Sequence, residues 1–221
     1  MMGTLAASAL PLIKLNANPM KNSKLKGNVN HAVCAWTMGH LSLDELCKAI
    51  KKIGFNAIDL VGPKDWHILQ ANGVECSMCN GAEVSLEQGF NNKAFHDQLV
   101  KNYTEIIPLV AKAGYKNLIC FSGNRNGMDE ETGLKNCVEG LKKIMSIAEK
   151  KGVVIQMELF NSKVDHKDYM CDSSAWGVEL CKRLGSPNFK LLYDIYHMQI
   201  NEGDIIRTIK RDHQYFGHYH T

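Results

Sequence analysis

The stretch Phe189-Lys-Leu-Leu-Tyr-Asp-Ile-Tyr-His-Met-Gln199 begins as an apolar strand and breaks into acid, aromatic and imidazole where such a strand would end. Phe189 to Tyr193 have the aromatic and leucine-rich character of a buried parallel strand. They follow the turn signal Gly185-Ser186-Pro187-Asn188 and lead toward an acidic helix start near Glu202. Asp194 is thereby expected at the carboxyl end of the strand. In a barrel of repeated strand-helix units, catalytic groups collect on that face because the loops that follow the strands converge there.

Two other strand ends answer it. The run Val153 to Glu158 closes on a carboxylate, and the run Tyr215 to His220 closes on an imidazole. From 158 to 194 is 36 positions and from 194 to 220 is 26, each close to one βα repeat of roughly 30 residues. Adjacent strands would then present Glu158, Asp194 and His220 side by side. Two carboxylates and one imidazole form an oxygen and nitrogen donor set suited to Mn²⁺, Mg²⁺, Co²⁺ or Zn²⁺.

Outward from these strands, helices and strands alternate from Asn28 onward, which argues for an α/β fold with a parallel sheet. Strands are expected at His31–Trp36, Asn56–Val61, Val74–Asn80 and Asn117–Phe121, ahead of the three already named. Ser42 with Glu45 three residues on has the capping-box pattern, and Gly54 ends the helix that follows. Further helices are expected over Asp65–Ala71, Phe90–Ala113, Glu130–Lys151, Ser173–Leu184 and Gly203–Lys210, with Pro108 interrupting the second of these. Seven strands are counted, and a (βα)₈ barrel of about 250 residues needs eight. The expected fold is therefore an incomplete (βα)₈ barrel whose last βα unit is missing.

Composition bounds the function. With 45% hydrophobic and 22% charged residues among 221, the chain can bury one sizeable core, and a net charge of +3 supports neither nucleic-acid nor membrane-surface binding. The eight cysteines fall singly in apolar or helix-like runs, as packed thiols do. Cys76-Ser-Met-Cys79 lies in a strand, where residues three apart should face opposite sides. No apolar run reaches the ~20 residues of a membrane span. Residues 1–27 form either a flexible leader or the remnant of an export signal, ahead of a barrel domain over 28–221; the protein is cytoplasmic in the first case and exported in the second.

The motifs from Glu158 to His166, from Asp194 to Gln199 and from Gly217 to Thr221 resemble the xylose isomerase-like TIM-barrel superfamily. Within it they are most similar to the hydroxypyruvate isomerases, near the ketose 3-epimerases. The resemblance implies a divalent metal held by Glu158, Asp194 and His220, with a fourth ligand, a glutamate from an eighth strand, that this sequence does not contain. It also implies interconversion of an α-hydroxy aldehyde and a ketone, with Glu158 as general acid and base, and a small hydroxy-carbonyl or sugar substrate. His197 would bond a substrate oxygen; Lys163 and Trp36 are candidates for substrate binding and for an apolar wall. Members often pair, so a homodimer is an open expectation. An abasic-site endonuclease on the same fold would need ligands on strands two to four, whose ends here are Val61-Gly62, Asn80-Gly81 and Phe121-Ser122. A barrel that binds metal or sugar without turnover is the non-enzymatic alternative. His218, near His220 on its strand, is expected to face away from the metal.

Overall fold

The computed structural model of the chain describes residues 29–221. The expected leader, residues 1–27, lies outside the described residues. Seven strands, β1 (Ala32–Cys34), β2 (Ala57–Val61), β3 (Glu75–Cys79), β4 (Asn117–Cys120), β5 (Val154–Glu158), β6 (Phe189–Asp194) and β7 (Phe216–His220), pair in parallel in their order along the chain. The helices between them are α1 (Leu43–Ile53), α2 (Trp66–Ala71), α3 (His96–Lys112), α4 (Glu130–Lys151), α5 (Ser174–Leu184), α6 (Ile195–Asn201) and α7 (Ile205–Asp212). No helix of the described residues is long and apolar enough to cross a membrane.

Alternation along the strands separates two apolar layers. Leu118 and Cys120 of β4, and Leu191 and Tyr193 of β6, join a large core between sheet and helices. Their neighbours Ile119 and Leu192 point the other way and meet Met78 inside the curl. Directly above this inner layer, toward the carboxyl ends, the inward positions turn polar.

Local signals set most boundaries. Ser42 and Glu45 close the expected capping box, and Gly54 ends α1 at φ 102°, a conformation glycine adopts without the clash a Cβ would cause. Helix α3 starts later than the apolar spacing suggests because the backbone N–H groups of Phe90 and Asn91 donate instead to Phe121 and Ser122 beside β4. It then runs through Pro108 without a break. The helix expected over Gly203–Lys210 is α7, and an additional helix outside those expected, α6, starts at Ile195 straight out of β6, since Asp194 accepts the backbone N–H of His197 and caps it.

Between β2 and β3 the register shifts on both sides of Asp59, and Leu60 holds φ 63°, a region rare for leucine. Such irregularities re-aim side chains. Asp59 and Leu60, consecutive in sequence, both reach the interior, and Cys76 and Cys79 both enter the helix-facing core rather than opposite faces. All eight cysteines are free, and only Cys34 is not buried.

Candidate active site

The carboxyl ends of β1, β2, β5, β6 and β7 surround a cavity of about 740 Å³. Asp194 and His220 are register partners on neighbouring strands, and Glu158 enters from β5. One ligand atom from each of Glu158, Asp194 and His220 lies within 4.8 Å of the others. The three side chains named from strand ends thus converge on one point.

His220 is at its centre. Its Nδ1 lies 2.9 Å from Glu158 Oε1 and 4.0 Å from Asp194 Oδ2, while Nε2 faces Asp59 Oδ2 at 3.5 Å and Cys34 Sγ at 3.8 Å. Burial works against the charged ring, but hydrogen bonds to Asp59, Cys34 and Glu158 outweigh it and push the imidazole up to about 12. Burial raises the Glu158 carboxyl, against the lowering pull of His220. Asp59 is held well below the usual carboxylate range: burial opposes its charge, and the hydrogen bonds to His218 and His220 more than compensate.

A divalent cation fits this donor set. One nitrogen of His220 faces two carboxylates, and the other faces a third carboxylate, the arrangement that orients a histidine ligand from behind. Three buried acids around one ring form a site seeking positive charge.

Asp59 is absent from the expectation built on strand ends, because it sits two positions before the end of β2 and turns inward only through the register shift. It accepts hydrogen bonds from Ser77 Oγ and from His218 Nε2, the latter at 2.7 Å. His218 does not face away: positions two apart on a strand share a face, and its ring centroid is 5.5 Å from that of His220.

The remaining candidates divide. His197 occupies the first turn of α6, with Nε2 3.9 Å from Asp194 Oδ2 and the ring against Phe160, and burial pushes it toward the neutral form. Trp36 lines the cavity mouth at 74% exposure and is not core. Lys163 is not brought to the site. Its Nζ donates to the carbonyls of Ile200 and Asn201 at 3.3 and 2.7 Å, closing the carboxyl end of α6. Asn161, Asp165, His166 and Tyr196 form a polar rim beside His197 that spacing alone gave no reason to choose.

Comparison with known proteins places the fold. The D-psicose 3-epimerase of Ruminiclostridium cellulolyticum is 24% identical over 192 residues, 78% of this chain and 64% of that enzyme. The chain thus spans less than two thirds of that relative's length. The hydroxypyruvate isomerase of Escherichia coli is 24% identical over 176 residues, covering 75% of this chain and 68% of the relative. A crystal structure described as an AP endonuclease, family 2, from Brucella melitensis superposes with a TM-score of 0.74 at 18% identity, over 85% of this chain and 77% of that one, a likeness of fold alone. The family model for the xylose isomerase-like TIM barrel matches residues 47–221, and the chain belongs to that family.

Proposed function

We propose that the chain is a divalent-metal-dependent isomerase that interconverts an α-hydroxy aldehyde and a ketone by moving a proton between neighbouring carbons. Hydroxypyruvate is the first substrate to test. The observation that carries this reading is the convergence of Glu158, Asp194 and His220 in the wall of a substrate-sized cavity that His197 also lines. Relatives named as a ketose epimerase and a hydroxypyruvate isomerase support the same class.

Glu158, Asp194 and His220 would hold the cation. When bound, it supplies positive charge to a substrate's carbonyl and hydroxyl oxygens, where negative charge develops as the carbon loses its proton. Glu158 serves as the base: it is 4% exposed, and burial makes its carboxylate take up a proton more readily than a solvated glutamate would. His197 bonds a substrate oxygen, and Trp36 forms an apolar wall at the mouth. Lys163, engaged on α6, has no part in it.

A second reading, a ketose 3-epimerase, is favoured by the D-psicose 3-epimerase relative, matched over 78% of this chain. A cavity of about 740 Å³ admits a sugar as well as a three-carbon acid. The test is a manganese-supplemented assay on hydroxypyruvate and a panel of ketoses, with Glu158→Gln alongside. Expected is manganese-dependent turnover that the variant loses by about 10²–10⁴-fold. Turnover of a ketose but not of hydroxypyruvate selects the second reading. Metal binding without turnover of any of these substrates overturns both and leaves a binding protein.

A further inference from the structure

Asn161, third after Glu158 and fully buried, fixes two things at once. Its amide oxygen accepts the backbone N–H groups of Val164 at 3.1 Å and Asp165 at 2.9 Å. Turned the other way, the amide would set its NH₂ against two donors, so the chain itself settles the orientation. The NH₂ end must face Asp165 Oδ2 and His197 Nδ1, each at 2.7 Å, and it has one hydrogen for each. Asp165 is tied down in turn by the hydroxyl of Tyr196, which donates to the same oxygen at 2.9 Å.

A ring nitrogen that receives an N–H carries a lone pair and no hydrogen. In neutral imidazole the hydrogen then sits on the other nitrogen. For His197 that is Nε2, which lies 3.9 Å from Asp194 Oδ2 on a ring that lines the cavity. The alternative tautomer would place N–H against N–H at 2.7 Å across the Asn161 contact.

We infer that Asn161, held by Asp165, is a positioning residue that locks His197 in the tautomer with hydrogen on Nε2, making the ring a hydrogen-bond donor to substrate oxygen. The tautomer follows from this network alone; the donor role rests on the proposed isomerase reading. A donor there stabilises negative charge on that oxygen while Glu158 holds the proton taken from carbon, whereas a lone pair would repel it.

The test is long-range ¹H–¹⁵N spectroscopy of the histidine rings in the full 221-residue chain, with the His197 signals assigned by their loss in His197→Gln. Expected for the unaltered protein is a protonated Nε2 and a bare Nδ1. The paired exchange Asn161→Asp with Asp165→Asn keeps an amide beside a carboxylate but turns an oxygen toward His197. It should move the hydrogen to Nδ1, lower kcat by about 10²–10³-fold with a smaller change in KM, and leave manganese affinity unchanged. A hydrogen on Nδ1 in the unaltered protein, or the same tautomer after the exchange, overturns the inference. If the exchanged protein does not fold, the spectrum of the unaltered chain still decides. A locked Nε2–H tautomer in a protein that turns over none of the substrates upholds the lock and removes the isomerase reading, so the two failures are distinguishable.

Discussion

The two nitrogens of His220 face different groups, and that difference would govern how a cation enters the proposed site. Without metal, the imidazolium supplies the positive charge that three acids demand, and its pKa is pushed up to about 12. In the metal-free chain this pairing contributes stability that is whole below the ordinary histidine value of about 6.5 and is lost as pH rises toward about 12. A cation bonded at Nδ1 must displace the proton there, so binding should release at least one proton and strengthen as pH rises. Calorimetry of Mn²⁺ binding in buffers of different ionisation enthalpy measures this; a heat independent of buffer would show that His220 is not a ligand. Asp59 acts on the same ring from the far side. Asp59→Asn should weaken Mn²⁺ binding by about 10–100-fold, the usual cost of losing a carboxylate behind a ligating histidine. Unchanged affinity would make the Asp59 contact incidental to the metal.

Helix ends and strand ends differ in how much of them a sequence reveals. The capping box of α1 is written in residues three apart, the glycines that end α1 and α5 directly follow the last apolar position of each helix, and Gly152 follows the basic pair Lys150-Lys151 that closes α4. Removing the cap with Ser42→Ala should cost about 0.5–2 kcal/mol of stability in urea unfolding, with the site's metal affinity intact; no loss would mean that Glu45 alone holds the helix end. Glu158, Asp194 and His220 were legible for the same reason, each closing an apolar run. Asp59 was not, because its inward aim comes from the β2–β3 register shift and its partner His218 is 159 positions away. Helix α6 was not among the expected helices, and it rests on a double duty: Asp194 has one oxygen toward His220 and accepts the His197 N–H with the other as helix cap. The late start of α3 was hidden too, since nothing near Phe90 announces that its N–H is taken by Phe121.

At the scale of the molecule, the sheet is a row of seven strands with β1 and β7 at its two margins. Yet Cys34 at the end of β1 lies 3.8 Å from His220 at the end of β7, so the margins meet at the site. A cation gripped by Glu158, Asp194 and His220 would tie β5, β6 and β7 together where an unpaired margin is weakest. Because only the folded chain brings these residues together, binding must stabilise the fold, by about 2.7 kcal/mol at a hundredfold excess over Kd. For a chain of this size that corresponds to a rise in Tm of about 5–11 °C with Mn²⁺ and an equal fall on chelation. The informative control is Asp194→Asn. Asparagine is as good a helix cap as aspartate, so α6 should keep its start and the metal-free Tm should shift only by the loss of the Asp194 charge beside His220, while the Mn²⁺-dependent rise should vanish. A rise of the same size in Asp194→Asn would mean that the cation binds elsewhere, and the convergence of the three strand ends would then be no more than a buried ion pair.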